Sequence, residues 1–280
     1  MFVLEWILSF FTWLCPPKAG PTSALTSSLI ITTYNWPEAL RLVLESVEHQ
    51  TVLPVEVIIA DDGSKPETAA MIKSYKESSR LTIIHSWQPD EGFRPALARN
   101  KAIAKATGEY IIIVDGDMLL HQEFIADHLA FAREGAFVQG KRILLKKGET
   151  RAGCRWSWKN RNPFLSALWS GRCYFRKLYG IKSCNMGFFR KDVLRVNGFN
   201  EDFVGWGRED SEFAARLLHS GVIRRDLQFA ATAYHLYHPE CSRAMLGKNH
   251  TLYLETLGQK KTFCENGINK WMPDSSNFSK

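Results

Sequence analysis

The first half of the chain alternates short continuous apolar runs with stretches whose apolar residues recur at helical spacing. Residues 28–34 (Ser-Leu-Ile-Ile-Thr-Thr-Tyr) read as a buried strand. Residues 37–49 place Leu40, Val43, Leu44 and Val47 on one helical face, with Pro37 in the first turn, where its missing N–H is no loss. A second strand at 55–60, a second helix at 67–78 and a third strand at 81–85 follow. Residues 95–107 are Ala-rich and helical, and Gly108 sits where a C-cap glycine belongs. Residues 110–114 (Tyr-Ile-Ile-Ile-Val) form a fourth strand. This alternation predicts an α/β fold, Rossmann-like, with a mostly parallel central sheet and helices on both faces. Past residue 120 the pattern loosens. Residues 183–190 read as a strand, 191–196 as a short helix, and 209–220 as a helix closed by Gly221.

Polar clusters fall where the apolar runs stop: Thr32-Thr33-Tyr34-Asn35, Asp61-Asp62 and Asp115-Gly116-Asp117. In open α/β sheets, ligands bind beyond the carboxyl ends of the strands. A single Asp-x-Asp triplet is compatible with an ordinary turn, but three polar clusters at three strand ends argue for a site. Two acids one residue apart offer hard oxygen ligands to a divalent cation that carries a phosphate. A second constellation is Gly205-Trp206-Gly207-Arg208-Glu209-Asp210. Its glycines allow close backbone approach, and its Trp offers a flat face to a sugar ring. Asp210 is expected on the inward face with Phe213, Ala214 and Leu217, with Glu209 rotated about 100° away. An inward carboxylate can be tuned as a general base, whereas two acids that only complement the helix dipole are the alternative. In Tyr234-His235-Leu236-Tyr237-His238 the imidazoles are three residues apart. In a helical turn both would face one site and could complete a metal sphere begun by Asp117, His238 first.

The composition permits one sizeable core: 280 residues, 45% hydrophobic. Charge is distributed unevenly. Residues 141–182 carry twelve Lys/Arg against the single acid Glu149, so the basic excess behind the net charge of +7 is a local patch. Such a patch suits a phosphorylated acceptor, an anionic membrane surface or nucleic acid. A nucleic-acid partner is set aside because it leaves the acidic clusters unexplained. Six scattered Cys with no Cys-x-x-Cys pair indicate reduced thiols in a cytoplasmic compartment rather than a disulfide or zinc framework. Residues 2–14 are apolar, too short to span a bilayer and unlike a signal peptide. They suit either a helix lying in the membrane interface or an arm docked on the domain. A Pro-rich linker ends this arm near residue 26. The expected organisation is the arm and linker (1–26), a first half (27–140) and a second half (141–250) of one domain, and a C-terminal tail (251–280).

Together these motifs resemble the family 2 inverting glycosyltransferases of GT-A fold. Residues 31–40, Asp61-Asp62-Gly63-Ser64, Ala98-Arg99-Asn100-Lys101 and Asp115-Gly116-Asp117 stand in the family's order. Gly205-Trp206-Gly207-Arg208-Glu209-Asp210 resembles the carboxy-terminal motif of β1,4-galactosyltransferases and chondroitin-polymerase-type enzymes. The resemblance covers about residues 27–250 and implies that 27–140 is the nucleotide-sugar half and 141–250 the acceptor and catalytic half of the same domain. It implies a UDP-sugar donor, a divalent cation (Mn²⁺ or Mg²⁺) and an anionic or phosphorylated glycan or glycolipid acceptor in bacterial cell-surface polysaccharide or lipopolysaccharide synthesis. It further implies peripheral contact with the cytoplasmic face of the inner membrane. By the same resemblance, Thr32, Tyr34, Asn35, Asp62, Arg94, Arg99, Asp115 and Gly116 bind the donor. Asp115, Asp117, His235 and His238 are the metal candidates. Asn185, Met186, Gly187, Trp206 and Gly207 line the sugar or acceptor pocket, and Asp210 with Glu209 is catalytic. A non-catalytic binding protein that keeps the fold is the alternative.

Overall fold

The computed structural model describes residues 25–147, 172–174, 178–239 and 242–272. The apolar arm and most of the basic stretch, with Trp156, Trp158 and Trp169, lie outside the described residues. Among those described, no helix is long and apolar enough to cross a membrane.

The sequence pattern sets the first four strand–helix steps. Strand β1 (Ser27–Thr33) leads to helix α1 (Pro37–Glu48), β2 (Glu56–Asp61), α2 (Pro66–Ser78), β3 (Ile83–Trp87), α3 (Pro95–Lys105) and β4 (Tyr110–Asp115). Short elements follow: β5 (Met118–Leu120), α4 (Phe124–Phe131), β6 (Ala136–Gln139), β7 (Arg142–Leu144) and β8 (Arg172–Tyr174). The last group is β9 (Asn185–Phe189), α5 (Arg190–Arg195), α6 (Glu209–His219), β10 (Ile223–Asp226), β11 (Ala233–His235), α7 (Leu246–Gly258) and a 3₁₀ turn at Ile268–Trp271.

Eight strands form the main sheet in the order β3-β2-β1-β4-β9-β6-β10-β8. β3, β2, β1 and β4 are parallel, and β9 runs antiparallel to both β4 and β6. β5, β11 and β7 make a second, three-stranded sheet. Strand alternation splits the core into two layers. Leu29, Ile31, Val57, Ile59 and Ile112 pack under α1 on one face, against Leu40, Val43 and Val47. Ile30, Ile58, Ile111 and Ile113 face α3 and α6 on the other, against Ala98, Phe213 and Leu217. Burial on both faces explains why these strands read as unbroken apolar runs.

Gly108 does not cap α3, which ends at Ala106 in extended backbone. Its role is close approach: a Cβ there would lie 2.6 Å from the Ser28 backbone nitrogen, and the Gly108 N–H donates to Ser28 Oγ at 2.9 Å. Residues 251–272, expected as a tail, carry the rest of α7 and the 3₁₀ turn. Ile268 is fully buried in the second core layer, and Trp271 Nε1 donates to Glu201 Oε1.

Candidate active site

The parallel strands β1, β2 and β4 end at one edge, and the polar residues there contact one another. Thr32 and Asp115 are register partners, and Thr32 Oγ1 donates to Asp115 Oδ1 at 2.9 Å. Gly116 has to be glycine, because a Cβ would lie 2.6 Å from the Thr32 carbonyl oxygen. Asn35 adopts a left-handed backbone (φ 49°), and its Oδ1 accepts from the Lys65 N–H. Asp62 accepts from Gln88 Nε2 and from the Arg94 backbone N–H, both at 2.7 Å. Burial pushes its carboxyl up to about 6 against those hydrogen bonds. Tyr34 is exposed and donates to Asp90 Oδ2. Gln88 escaped the sequence reading, although it stands just past the end of β3, where the strand-end rule applies equally.

Across a short turn from Asp115, Asp117 meets both histidines. Its Oδ2 lies 3.1 Å from His238 Nε2 and 3.4 Å from His235 Nε2, and the two nitrogens are 3.3 Å apart. Strand pairing explains the convergence: β11 lies antiparallel to β5, and the Leu236 N–H donates to the Asp117 carbonyl. The histidine segment is thus a strand end and its extension, not a helical turn. One ligand atom from each of the three groups lies within 4.8 Å of the others. Asp117 Oδ1 is buried without a hydrogen-bond partner. Two imidazole nitrogens and a carboxylate with one orphaned oxygen fit a divalent cation of borderline softness. The Asp117 hydrogen bond raises His238 to about 8, whereas burial lowers His235.

Arg99 joins this edge to α6. Its Nη1 lies 3.2 Å from Glu209 Oε1, its Nη2 3.7 Å from Asp115 Oδ1, and its guanidinium covers the Phe199 ring at 5.4 Å. It is 4% exposed, so its fork is directed at protein carboxylates inside the fold rather than offered to a nucleoside. Arg94 likewise engages Asp62 through its backbone, while its side chain pairs with Glu91.

Helix α6 is preceded by left-handed backbone at Gly205, Gly207 and Arg208, with φ of 76°, 106° and 74°. This turn is held from both sides. The Gly205 N–H donates to the Phe93 carbonyl, and Asn249 Nδ2 on α7 donates to the Val204 carbonyl at 3.1 Å. Trp206 is left exposed beneath Arg243, whose guanidinium lies 4.9 Å from the ring. Glu209 faces inward, contrary to the single-face expectation, because α6 is packed all round and buries every residue from Ser211 to Leu217. Asp210 is half-buried at the first turn. Burial, with Glu209 adding, pushes its carboxyl up to about 7.

Asn185, Met186 and Gly187 differ from expectation. They lie inside β9, between β4 and β6, and present no exposed surface. The Asn185 side chain bonds His128 Nε2 and donates to the Lys141 and Ala231 carbonyls. A Cβ at Gly187 would lie 2.4 Å from the Tyr110 hydroxyl. These residues back the site rather than line it.

Comparison with known proteins places this geometry in a family. The family model for glycosyl transferase family 2 matches residues 28–195, and one described as the N-terminal domain of galactosyltransferase matches residues 169–239. The chondroitin synthase of Escherichia coli is 28% identical over 261 residues, covering 81% of this chain and 37% of that protein. The chain spans about half or less of the length of the curated relatives it matches. S. aureus TarS 1–349, in complex with UDP-GlcNAc, aligns with a TM-score of 0.63 at 18% identity, over 88% of this chain and 69% of that one. GalNAc-T7 with UDP, GalNAc and Mn²⁺ aligns with a TM-score of 0.62 at 16% identity, over 84% and 48%. The chain belongs to glycosyltransferase family 2, has the GT-A fold, and is related to bacterial polysaccharide synthases.

Proposed function

We propose that this protein is a metal-dependent, inverting transferase that moves a sugar from a UDP-sugar to a glycan or glycolipid acceptor. The reading rests on one observation: Asp117 with two imidazoles, and the Glu209–Asp210 pair, are tied to the same sheet edge through Asp115 and Arg99.

Asp117, His235 and His238 would hold the divalent ion, which when bound neutralises charge on the departing phosphate as a Lewis acid. Thr32, Tyr34, Asn35, Asp62 and the Gly116 backbone surround the donor's nucleoside, and Thr32 fixes the Asp115 carboxylate beside it. Asp210 accepts the proton of the acceptor hydroxyl as that oxygen attacks the anomeric carbon. A carboxyl pushed up to about 7 is well matched to that task near neutral pH. Glu209 keeps Arg99 engaged and adds the negative charge that raises Asp210. One displacement needs no covalent intermediate, so a second carboxylate at the anomeric carbon is not required. Trp206 offers its exposed face to the acceptor sugar.

Two related proteins support the donor class: TarS was crystallised with UDP-GlcNAc and GalNAc-T7 with UDP and Mn²⁺. The basic stretch at 141–182 supports an anionic or phosphorylated acceptor. We place the protein at the cytoplasmic face of the inner membrane, in cell-surface polysaccharide or lipopolysaccharide synthesis. The deciding experiment incubates the full chain and Mn²⁺ with a panel of UDP-sugars and measures UDP release with and without glycan acceptors. Release of UDP from one donor supports the reading, and none from any member opposes it.

A further inference from the structure

Arg142 stands on β7 opposite Ala233 of β11, two positions before Leu144, which faces His235. Residues two apart on a strand share a face, so Arg142 and His235 are diagonal neighbours on one side of the three-stranded sheet. The guanidinium also reaches the β9 side of the site, with Nη1 3.7 Å from Cys184 Sγ. That thiol is buried and pushed up to about 12, by burial first and by the Asp115 charge second, so it is a neutral partner. Among the described residues Arg142 has no carboxylate partner. His235 in turn lies 3.4 Å from Asp117, so the Arg142 strand position borders the same cluster.

This placement is unfavourable for a cation site on its own. A half-buried guanidinium beside the Asp117 cluster repels any ion held there. The arrangement becomes favourable when one anion touches both charges. An arginine fork matches two phosphate oxygens of a single anion.

We propose that Arg142 binds the diphosphate of the nucleotide donor together with the ion held by Asp117, His235 and His238. The inference rests on the nucleotide-sugar reading above. It assigns Arg142 to the leaving group, whose charge grows as the sugar departs. It also makes ion and diphosphate mutually dependent: each offsets the repulsion felt by the other.

Calorimetric titration of the full chain with Mn²⁺, and of the Mn²⁺-loaded chain with UDP and with uridine, tests this in the wild type, Arg142→Met and Arg142→Lys. Arg142→Met should lose about 10- to 100-fold in UDP affinity, the usual worth of a charge-assisted pair. It should keep uridine affinity and bind Mn²⁺ alone no more weakly than the wild type. Arg142→Lys, which keeps the charge without the fork, should fall between. An unchanged thermal melt identifies folded variants, and Arg142→Lys carries the test if the Met variant melts early. Unchanged UDP affinity, equal losses for UDP and uridine, or weakened Mn²⁺ binding overturns the assignment. A wild type that binds no UDP with Mn²⁺ sinks the nucleotide-sugar reading and this inference with it. A wild type that binds UDP beside silent Arg142 variants sinks this inference alone.

Discussion

Arg99 Nη1 lies 3.2 Å from Glu209 Oε1, across 110 residues of sequence. The same guanidinium reaches Asp115, so one buried cation connects the end of β4 with the first turn of α6. Breaking a buried pair by removing one partner costs about 3–5 kcal/mol, because the other charge is left uncompensated. Arg99→Met should therefore lower stability to chemical denaturation by that order. It should also move the acidic limb of the pH–rate profile to higher pH, since Arg99 holds the Asp210 carboxyl down. Loss of stability with an unmoved limb would leave Arg99 as packing alone.

Asp210 supplies the second prediction. Asp210→Asn should bind a UDP-sugar as the wild type does and lose about 10²-fold or more in turnover, by the usual worth of a general base. Full activity in this variant refutes the assignment. In the wild type, turnover should rise as pH passes through about 7, where the carboxyl ionises. Its effect on stability has the opposite sign. Between about 4, the unfolded value, and about 7 the folded state holds the extra proton, so Asp210 makes stability fall as pH rises through that window. Denaturation curves of wild type and Asp210→Asn across this range should converge at the acid end.

The histidine pair gives a third. Chelation by EDTA should abolish transfer, and added Mn²⁺ should restore it. His238→Ala should weaken Mn²⁺ binding by at least the about 10- to 100-fold typical of losing an outer-shell partner. Calorimetry with Mn²⁺ checks this without reference to turnover. Transfer at full rate in the presence of EDTA contradicts the role given to Asp117 and both histidines.

Much of this was legible from residue order, for physical reasons. Buried parallel strands announce themselves as apolar runs, and the polar residues that stop them gather at one sheet edge. Thr32, Asp62 and Asp115 stand at the ends of three such runs. The match of Asp117 to His235 and His238 came from ligand chemistry, although the turn conformation assumed for the histidines was wrong; strand pairing brings them together instead. What periodicity could not give was the side from which Glu209 is covered. A helix with one wet face can be read by its stripe, but α6 is enclosed by the sheet on one side and α7 on the other, so Glu209 is buried while Asp210 stays half-buried at the first turn. Gly108 misled for a similar reason, because a glycine that permits close approach looks in sequence like one that caps a helix.

Asn185 tests whether the β9 segment supports the site or touches substrate. Its side chain is fully buried and bonds His128 and the carbonyls of Lys141 and Ala231. Truncation leaves those groups unpaired in the interior, at about 1–3 kcal/mol each. Asn185→Ala should therefore unfold at clearly lower denaturant concentration than the wild type. The folded fraction should keep its donor affinity and its choice among UDP-sugars, since Asn185 has no exposed surface. Gly187→Ala should behave alike, through crowding of the Tyr110 hydroxyl and His128. A stable Asn185→Ala protein with altered donor selectivity would restore the residue to the pocket wall and would require β9 to shift when the donor binds.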